Sequence, residues 1–309
     1  MKQNRRIVIL TGGFSEESDV SKVTSSEIAK ALKSKNYEIK MIDPIEFKSY
    51  SKMIIAIKEF EPFIIFNGLH GAGGEDGRIQ SILSLENLPF TGSGYKASAI
   101  SMDKYVSGIL AKYIGIIVPD RYLIYKDFEY DINSISEKIG FPMVVKPNDS
   151  GSSVGVSIIK NINEADNAID KASKFSKKIL FEKFIEGREL TVTILGNKAL
   201  PVVEIKPKDG WYDYTNKYTK GKTIYEAPAK LTSKEKAEIQ KDALRIFHLF
   251  SCKAYARVDF RYDGKNFYFL EVNTLPGMTP LSLTPMAAKE EGYSFEELLE
   301  EIIKLSLKN

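Results

Sequence analysis

Thiol and imidazole are scarce in this sequence, with one cysteine, Cys252, and two histidines, His70 and His248, among 309 residues. A lone thiol excludes an intrachain disulfide framework and any zinc site built on several thiolates. Two imidazoles exclude a three-histidine metal centre. Long apolar runs are missing too: Ile7 to Leu10 breaks at Gly12-Gly13 and meets Glu16, far short of a signal-peptide core. No other run reaches the roughly 18 residues that a membrane span needs. Charge of one sign is also absent, since 44 Lys and Arg stand against 41 Asp and Glu for a net +3. No bulk field therefore draws nucleic acid or a membrane surface, and any bound anion must be held locally. A reduced, cytoplasmic protein is expected. His248, on an apolar helix face, and Cys252, in an apolar setting, read as core residues.

With 43% hydrophobic and 28% charged residues, the chain has the make-up of folded domains, and its length allows two domains or three small ones. Short apolar runs alternate with helical patterns through the first ninety residues: IVILT at 7–11, a helix near 21–35, YEIKMID at 37–43, a helix near 51–60, then FIIFN. That rhythm predicts an α/β unit with a parallel sheet. Ile100, Tyr105, Ile109 and Tyr113 recur at helical spacing and predict one amphipathic helix over 96–113, with a boundary just before it near Gly94. From 121 onward, strands bounded by Gly and Pro (RYLIY, PMVVKP, VGVSIIK, ILFEKF, ELTVTIL, AYARVDF, NFYFLEVN) predict antiparallel hairpins. Helices are expected near 233–250 and 294–305. The polar, aromatic stretch 206–222 lacks a period and reads as a functional loop.

Side chains alternate faces along a strand, so Arg257 and Asp259 share a face, as do Glu271 and Asn273. A hairpin whose loop is Gly264-Lys265-Asn266 would set Asp259 opposite Glu271 and Arg257 opposite Asn273. Two carboxylates and an amide are hard oxygen donors, too few to cage an ion alone, which suits Mg²⁺ shared with phosphates and water. The plainer alternative is a solvated, ion-paired strand face. Lys146 closes the strand PMVVK and precedes the loop Ser150-Gly151-Ser152-Ser153-Val154-Gly155, which can fold over phosphates or be a flexible hairpin. Neither a Walker A motif nor a G-x-G-x-x-G spacing is present. Gly12-Gly13 leads from the first strand to Glu17 ahead of a helix, and His70 opens a stretch with four glycines in eight residues. Both lie at the strand ends where open α/β sheets place ligands.

Taken in order, GGFSEESDVS at 12–21, HGAGGEDGRIQ at 70–80, PFTGSGYKASAISMDK at 89–104, VVKPNDSGSSVGVS at 144–157, EKFIEGRELTV at 182–192, YDYTNKY at 212–218, RVDF at 257–260 and LEVNTLPGMTPLSLTPMAA at 270–288 closely resemble the D-alanine:D-alanine ligase family of ATP-grasp carboxylate-amine ligases. The resemblance implies an N-terminal parallel-sheet α/β domain (1–94) followed by a two-domain α+β ATP-grasp fold (95–185 and 186–309). It implies ATP-driven ligation of two D-alanines through a D-alanyl phosphate, in peptidoglycan synthesis. By the same resemblance, Lys104 and Lys146 contact ATP phosphates, Glu182, Lys183, Phe184 and Ile185 hold adenine, Glu189 binds ribose, and Lys217 reaches the γ-phosphate. Asp259, Glu271 and Asn273 would hold two Mg²⁺ ions, with Mn²⁺ as a substitute. Arg257 and the N–H of Gly277 would stabilise the oxyanion. Glu17 and His70 would lie on the first D-alanine, Ser282 and Leu283 on the carboxylate of the second. Glu17, Ser152 and Tyr218 would form a hydrogen-bonded latch, and a homodimer is the default assembly. Pro280-Leu281 stands where many members carry Ser-His, next to the second-substrate pocket. The alternatives are a ligase of the same scaffold using D-lactate or D-serine, which the tyrosine at 218 disfavours in the first case, and a non-catalytic nucleotide-binding module.

Overall fold

The computed structural model describes residues 5–212, 216, 217, 219 and 221–308. Alternation of side chains places β1 (Arg6–Leu10) at the centre of a parallel sheet covered on both faces. Ile7 and Ile9 pack with α1 (Ser18–Ser34), whereas Val8 and Leu10 pack with α2 (Tyr50–Glu59) and α3 (Arg78–Leu85). The flanking strands are β2 (Glu38–Ile42) and β3 (Ile64–Asn67), in the order β2-β1-β3. Both faces are buried, so β1 and β3 read as continuous apolar runs.

The expected helix over 96–113 is instead two, α4 (Tyr95–Met102) and α5 (Lys104–Tyr113). Asp103 is extended between them, and its carboxylate caps α5 by accepting the Val106 N–H at 3.0 Å. The expected buried face is also displaced: Ile109 and Tyr113 are exposed, while Lys104, Ser107, Gly108 and Ala111 face inward. Small residues let α5 lie close to its neighbours, and the apolar stripe is split, with Ile100 packed on the core and Ile109 and Tyr113 turned to solvent.

The central sheet is antiparallel, ordered β4 (Arg121–Tyr125), β7 (Lys178–Lys183), β5 (Met143–Pro147), β6 (Ser157–Ile159). Helices α6 (Ile132–Ile139) and α7 (Ala165–Ser173) cover one face through Ile135, Ile139 and Ile169. The third sheet runs β11 (Thr223–Glu226), β10 (Val203–Pro207), β8 (Arg188–Leu195), β12 (Tyr255–Tyr262), β13 (Phe267–Asn273), with β9 (Lys198–Ala199) on β8 across the two-residue turn Gly196-Asn197. Leu190, Val192 and Ile194 of β8 pack with Ile239, Ala243 and Ile246 of α8 (Ser233–Leu249) and with Ala97 and Ala111 of α4 and α5. Cys252 is buried in that core, but His248 is exposed, with its ring edge against Phe247. The chain closes with α9 (Leu283–Glu290) and α10 (Phe295–Leu307), whose Leu298, Leu299, Ile302 and Ile303 return to Ile7, Ile9 and Phe66 of the first sheet.

The last hairpin has the expected register, with Asp259 opposite Glu271 and Arg257 opposite Asn273, for a different reason. Four residues, Asp263 to Asn266, separate the paired Tyr262 and Phe267, so an unbroken ladder would bring Leu270 opposite Asp259. A β-bulge at Leu270 shifts the pairing by one and restores Glu271 to the face of Asp259.

Candidate active site

A cleft lies between the central and third sheets. Lys104, Lys146, Lys183, Phe184, Ile185, Glu189, Lys217, Asp259 and Glu271, nine residues from six segments, line it together. Val144, Val156, Ile158 and Leu270 add apolar surface, and the Gly/Ser loop contributes Ser150, Gly151 and Ser153. Apolar walls with convergent lysines suit a ligand that has a flat apolar end and a polyanionic end.

Glu182 also borders the cleft, but its carboxylate is an internal counter-ion, 2.8 Å from Lys146 Nζ and 2.5 Å from Arg121 Nε. Burial alone would raise its pKa; the charges of Arg121 and Lys146 outweigh that and lower it. Burial pulls the Lys146 pKa down, against the attraction of Glu182. The N–H groups of Lys183 and Phe184 bond to Asp120 O at 2.9 Å and Pro142 O at 3.2 Å, which fixes the segment after β7. Arg261 fixes it from the other sheet, donating to Ile185 O at 3.1 Å and Gly187 O at 2.8 Å and lying 3.4 Å from Glu189. Burial raises the Glu189 pKa, while Arg261 and Lys217 oppose it.

Lys104, the first residue of α5, lies 3.2 Å from Glu271 and donates to Ser150 O at 2.7 Å. Burial would raise the Glu271 pKa, but the ammonium groups of Lys104, Lys146 and Lys217 hold it at about 2. Asp259 accepts both Nε (2.9 Å) and Nη2 (2.8 Å) of Arg257, and the Thr191 hydroxyl at 2.6 Å. Asn273 turns its Oδ1 onto the Leu275 N–H at 3.0 Å. The oxygen set on this face fits a divalent cation in chemistry, because Asp259 and Glu271 are carboxylate neighbours across one ladder pair and Asn273 adds a carbonyl.

Around the N-terminal strand ends a second group forms. The Ser152 hydroxyl donates to Glu17, and a Cβ on Gly151 or Gly71 would come within 2.6 or 2.8 Å of the Glu17 carboxylate. Side chains there are excluded so that the acid can nestle against backbone. His70 is buried, with its ring nitrogens 3.3 Å from Glu75 and from Thr24. Burial pushes Glu75 up, the His70 hydrogen bond opposes it, and the charges of Glu17 and Arg257 also act on it. Glu17, His70, Glu75 and Arg257 thus share one electrostatic neighbourhood. Gly277 faces Ser282, whose Oγ accepts the Thr279 N–H at 3.1 Å. Leu283 buries its side chain in the core, so only its backbone, at the start of α9, can meet a ligand. Lys217 Nζ sits 5.0 Å from the centre of the Tyr212 ring. Tyr218 lies outside the described residues.

Sequence reading missed Arg121, Arg261, Trp211 and Tyr212. Arg261 was accessible by strand alternation from Arg257 and Asp259; the aromatic pair was accessible only as part of the aperiodic loop.

Residues 110–304 match the family model described as D-ala D-ala ligase C-terminus. The D-alanine--D-alanine ligase of Halalkalibacterium halodurans is 39% identical, covering 98% of this chain and 99% of its own length. Two solved structures are similar over nearly their whole lengths. The D-alanine--D-alanine ligase of Bacillus anthracis complexed with ATP has a TM-score of 0.85 at 33% identity, covering 98% of both chains. The VanG D-Ala:D-Ser ligase of Enterococcus faecalis has a TM-score of 0.84 at 28% identity, covering 99% of this chain and 100% of its own. Shared sequence and fold agree: the chain belongs to the D-alanine--D-alanine ligase family.

Proposed function

We infer that this protein joins two D-alanine molecules at the expense of ATP, releasing ADP and phosphate. The observation that carries the reading is the cleft itself, where three lysines and the Asp259–Glu271 pair converge beside Arg257. A carboxylate repels nucleophiles and has a poor leaving group. Transfer of the γ-phosphoryl group to one carboxylate oxygen makes an acyl phosphate, whose carbonyl carbon accepts the free amine; the C–O bond then breaks, phosphate leaves with its electron pair, and the proton on nitrogen passes to that phosphate or to solvent. Lys104, Lys146 and Lys217 would orient the phosphates, and Val144, Ile158, Phe184 and Ile185 would enclose adenine, with Glu189 on ribose. Asp259, Glu271 and Asn273 would hold Mg²⁺, two ions in all or Mn²⁺ in their place. When bound, the ions neutralise charge on the transferring phosphoryl group. Arg257 would then release Asp259 in part and turn its guanidinium, with the Gly277 N–H, toward the oxyanion formed when the amine adds. Glu17 and His70 would receive the first D-alanine, and Ser282 with the backbone of Leu283 the second. The Ser152–Glu17 bond, joined by Tyr218, would close the Gly/Ser loop and exclude water from the acyl phosphate.

The likeness to a D-Ala:D-Ser ligase favours one second reading, the same chemistry with D-serine as acceptor. Phosphate release with D-alanine, D-serine, D-lactate and L-alanine as second substrates tests both. The expected order has D-alanine first at neutral pH; faster turnover with D-serine would install the second reading, and release with none would leave a nucleotide-binding protein without ligase activity.

We also propose cytoplasmic placement, where ATP is supplied; among the described residues no helix is long and apolar enough to cross a membrane. An isologous homodimer is supported by the exposed apolar line Val106, Ile109, Tyr113 and Ile117, and light scattering would measure it. We also propose a division into units at 94 and 185, which the separate hydrogen bonding of the three sheets supports; α4 and α5, just after the first boundary, pack on the third sheet.

A further inference from the structure

We propose that Arg121 is a positioning residue for this reaction, a buried guanidinium that fixes Lys104, Lys146 and Glu271 relative to one another across the joint between the two sheets. The proposal rests on the nucleotide reading of the cleft. Arg121 opens β4, and its side chain is 5% exposed. Nη1 donates to Lys104 O at 2.7 Å, at the start of α5. Nη2 donates to Phe269 O at 3.1 Å and Leu270 O at 2.8 Å, the carbonyls of the bulge that turns Glu271 toward Asp259. Nε stands 2.5 Å from the Glu182 oxygen that Lys146 leaves; that N–H is not aimed at the oxygen, so the contact is ionic.

One side chain therefore ties the backbone beneath one phosphate-facing lysine, the backbone beside one carboxylate, and the counter-ion of a second lysine. Arg121 does not line the cleft and so touches no substrate. A guanidinium reaches these partners through a rigid fork of five N–H donors; an ammonium has three donors at one point and cannot span them. Arg121 also shares Glu182 with Lys146, so one carboxylate faces two cationic side chains, and the charge of Arg121 adds to burial in lowering the Lys146 pKa. The fit is tight on the α5 side, where a Cβ on Gly108 would overlap Nη1 and lie 3.1 Å from Cζ. Glycine in the interior of α5 is unfavourable for the helix, and room for the guanidinium is the physical reason for it.

The sole tryptophan, Trp211, lines the cleft, so its fluorescence follows Mg-ATP binding separately from turnover. Arg121→Lys keeps the charge and removes the fork. Gly108→Ala keeps every partner but presses on the guanidinium, and helix propensity alone would make it stabilising. Both are expected to weaken Mg-ATP about tenfold or more while the KM for D-alanine stays within about twofold. Mg-ATP affinity within about twofold of the parent in either folded variant would overturn the proposal. Failure of both variants to fold at 25 °C would mark a purely structural tie and overturn it as well. If the parent itself gives neither a Trp211 response to Mg-ATP nor phosphate release, the nucleotide reading falls and takes the proposal with it. A responsive parent with indifferent variants sinks Arg121 alone.

Discussion

Glu271 stands among three ammonium groups, and that setting fixes both its charge and its pH behaviour. Glu271→Gln is expected to lower ATP-dependent turnover by about a hundredfold or more, since it removes charge from the cation-holding face. Near-parent phosphate release in saturating Mg²⁺ would contradict the assignment. Its folded pKa of about 2 lies below the ordinary 4.5, so ionised Glu271 stabilises the fold above that ordinary value, and the contribution fades as pH falls toward 2. The difference in melting temperature between parent and Glu271→Gln should accordingly be constant above about 4.5 and narrow below it; a gap that widens on acidification would refute the ion-pair account. Ser152→Ala, which removes the hydroxyl donated to Glu17, is expected to raise the KM for D-alanine severalfold while Mg-ATP affinity measured by Trp211 stays near that of the parent. Equal effects on both ligands would place Ser152 in the nucleotide site instead. Asp259, Glu271 and Arg257 were legible from sequence because strand alternation is a rule of geometry. Arg121 was not, since its partners lie from 17 to 149 positions away, in separate segments that no spacing rule brings together.

Elements carry the site through their ends and irregularities. The β-bulge at Leu270 decides which face Glu271 occupies, yet bulges leave little trace in composition, and a regular ladder with a shorter loop yields the same pairing on paper. The break at Asp103 was hidden for a related reason. Ile100, Tyr105, Ile109 and Tyr113 keep helical spacing straight through it, and the period says nothing of which face meets the core. Asp103 holds that break with three bonds, to Val106 N–H, Asn148 Nδ2 at 2.8 Å and Lys178 Nζ at 3.0 Å. Asp103→Ala is expected to cost about 1–3 kcal/mol, through loss of the cap and of the partners it satisfies. Urea denaturation would measure it, and a change within about 0.3 kcal/mol would show that α5 starts at Lys104 for some other reason. The Gly/Ser loop adds a different irregularity: Ser152 and Ser153 adopt φ of 49° and 56°, a left-handed backbone that serine seldom takes. The hydroxyl bonds to Glu17 and, at 3.2 Å, from Ser153 to Tyr212 O hold the loop in that shape.

At the scale of the molecule, three sheets in succession follow the sequence rhythm, the first parallel and the others antiparallel. Closure of the first sheet by the last helix could not be read that way. Amphipathicity announces that α10 has an apolar face without naming the surface that covers it, nearly three hundred residues upstream. Leu299, fully buried against the first sheet's core, should cost about 2–5 kcal/mol when cut to alanine. The loss should appear in the cooperative unfolding of the N-terminal sheet, followed by hydrogen exchange at Val8 and Ile65. Unaltered exchange there would separate α10 from that sheet energetically.

That closure also has a consequence for biosynthesis. The strands of the first sheet leave the ribosome long before Leu298, Leu299, Ile302 and Ile303 exist, so the Ile7, Ile9 and Phe66 face, packed by then only with α1, lacks this last cover while the intervening residues are made. At roughly 5–20 residues per second the wait lasts tens of seconds, long enough for a holding chaperone to engage the nascent chain.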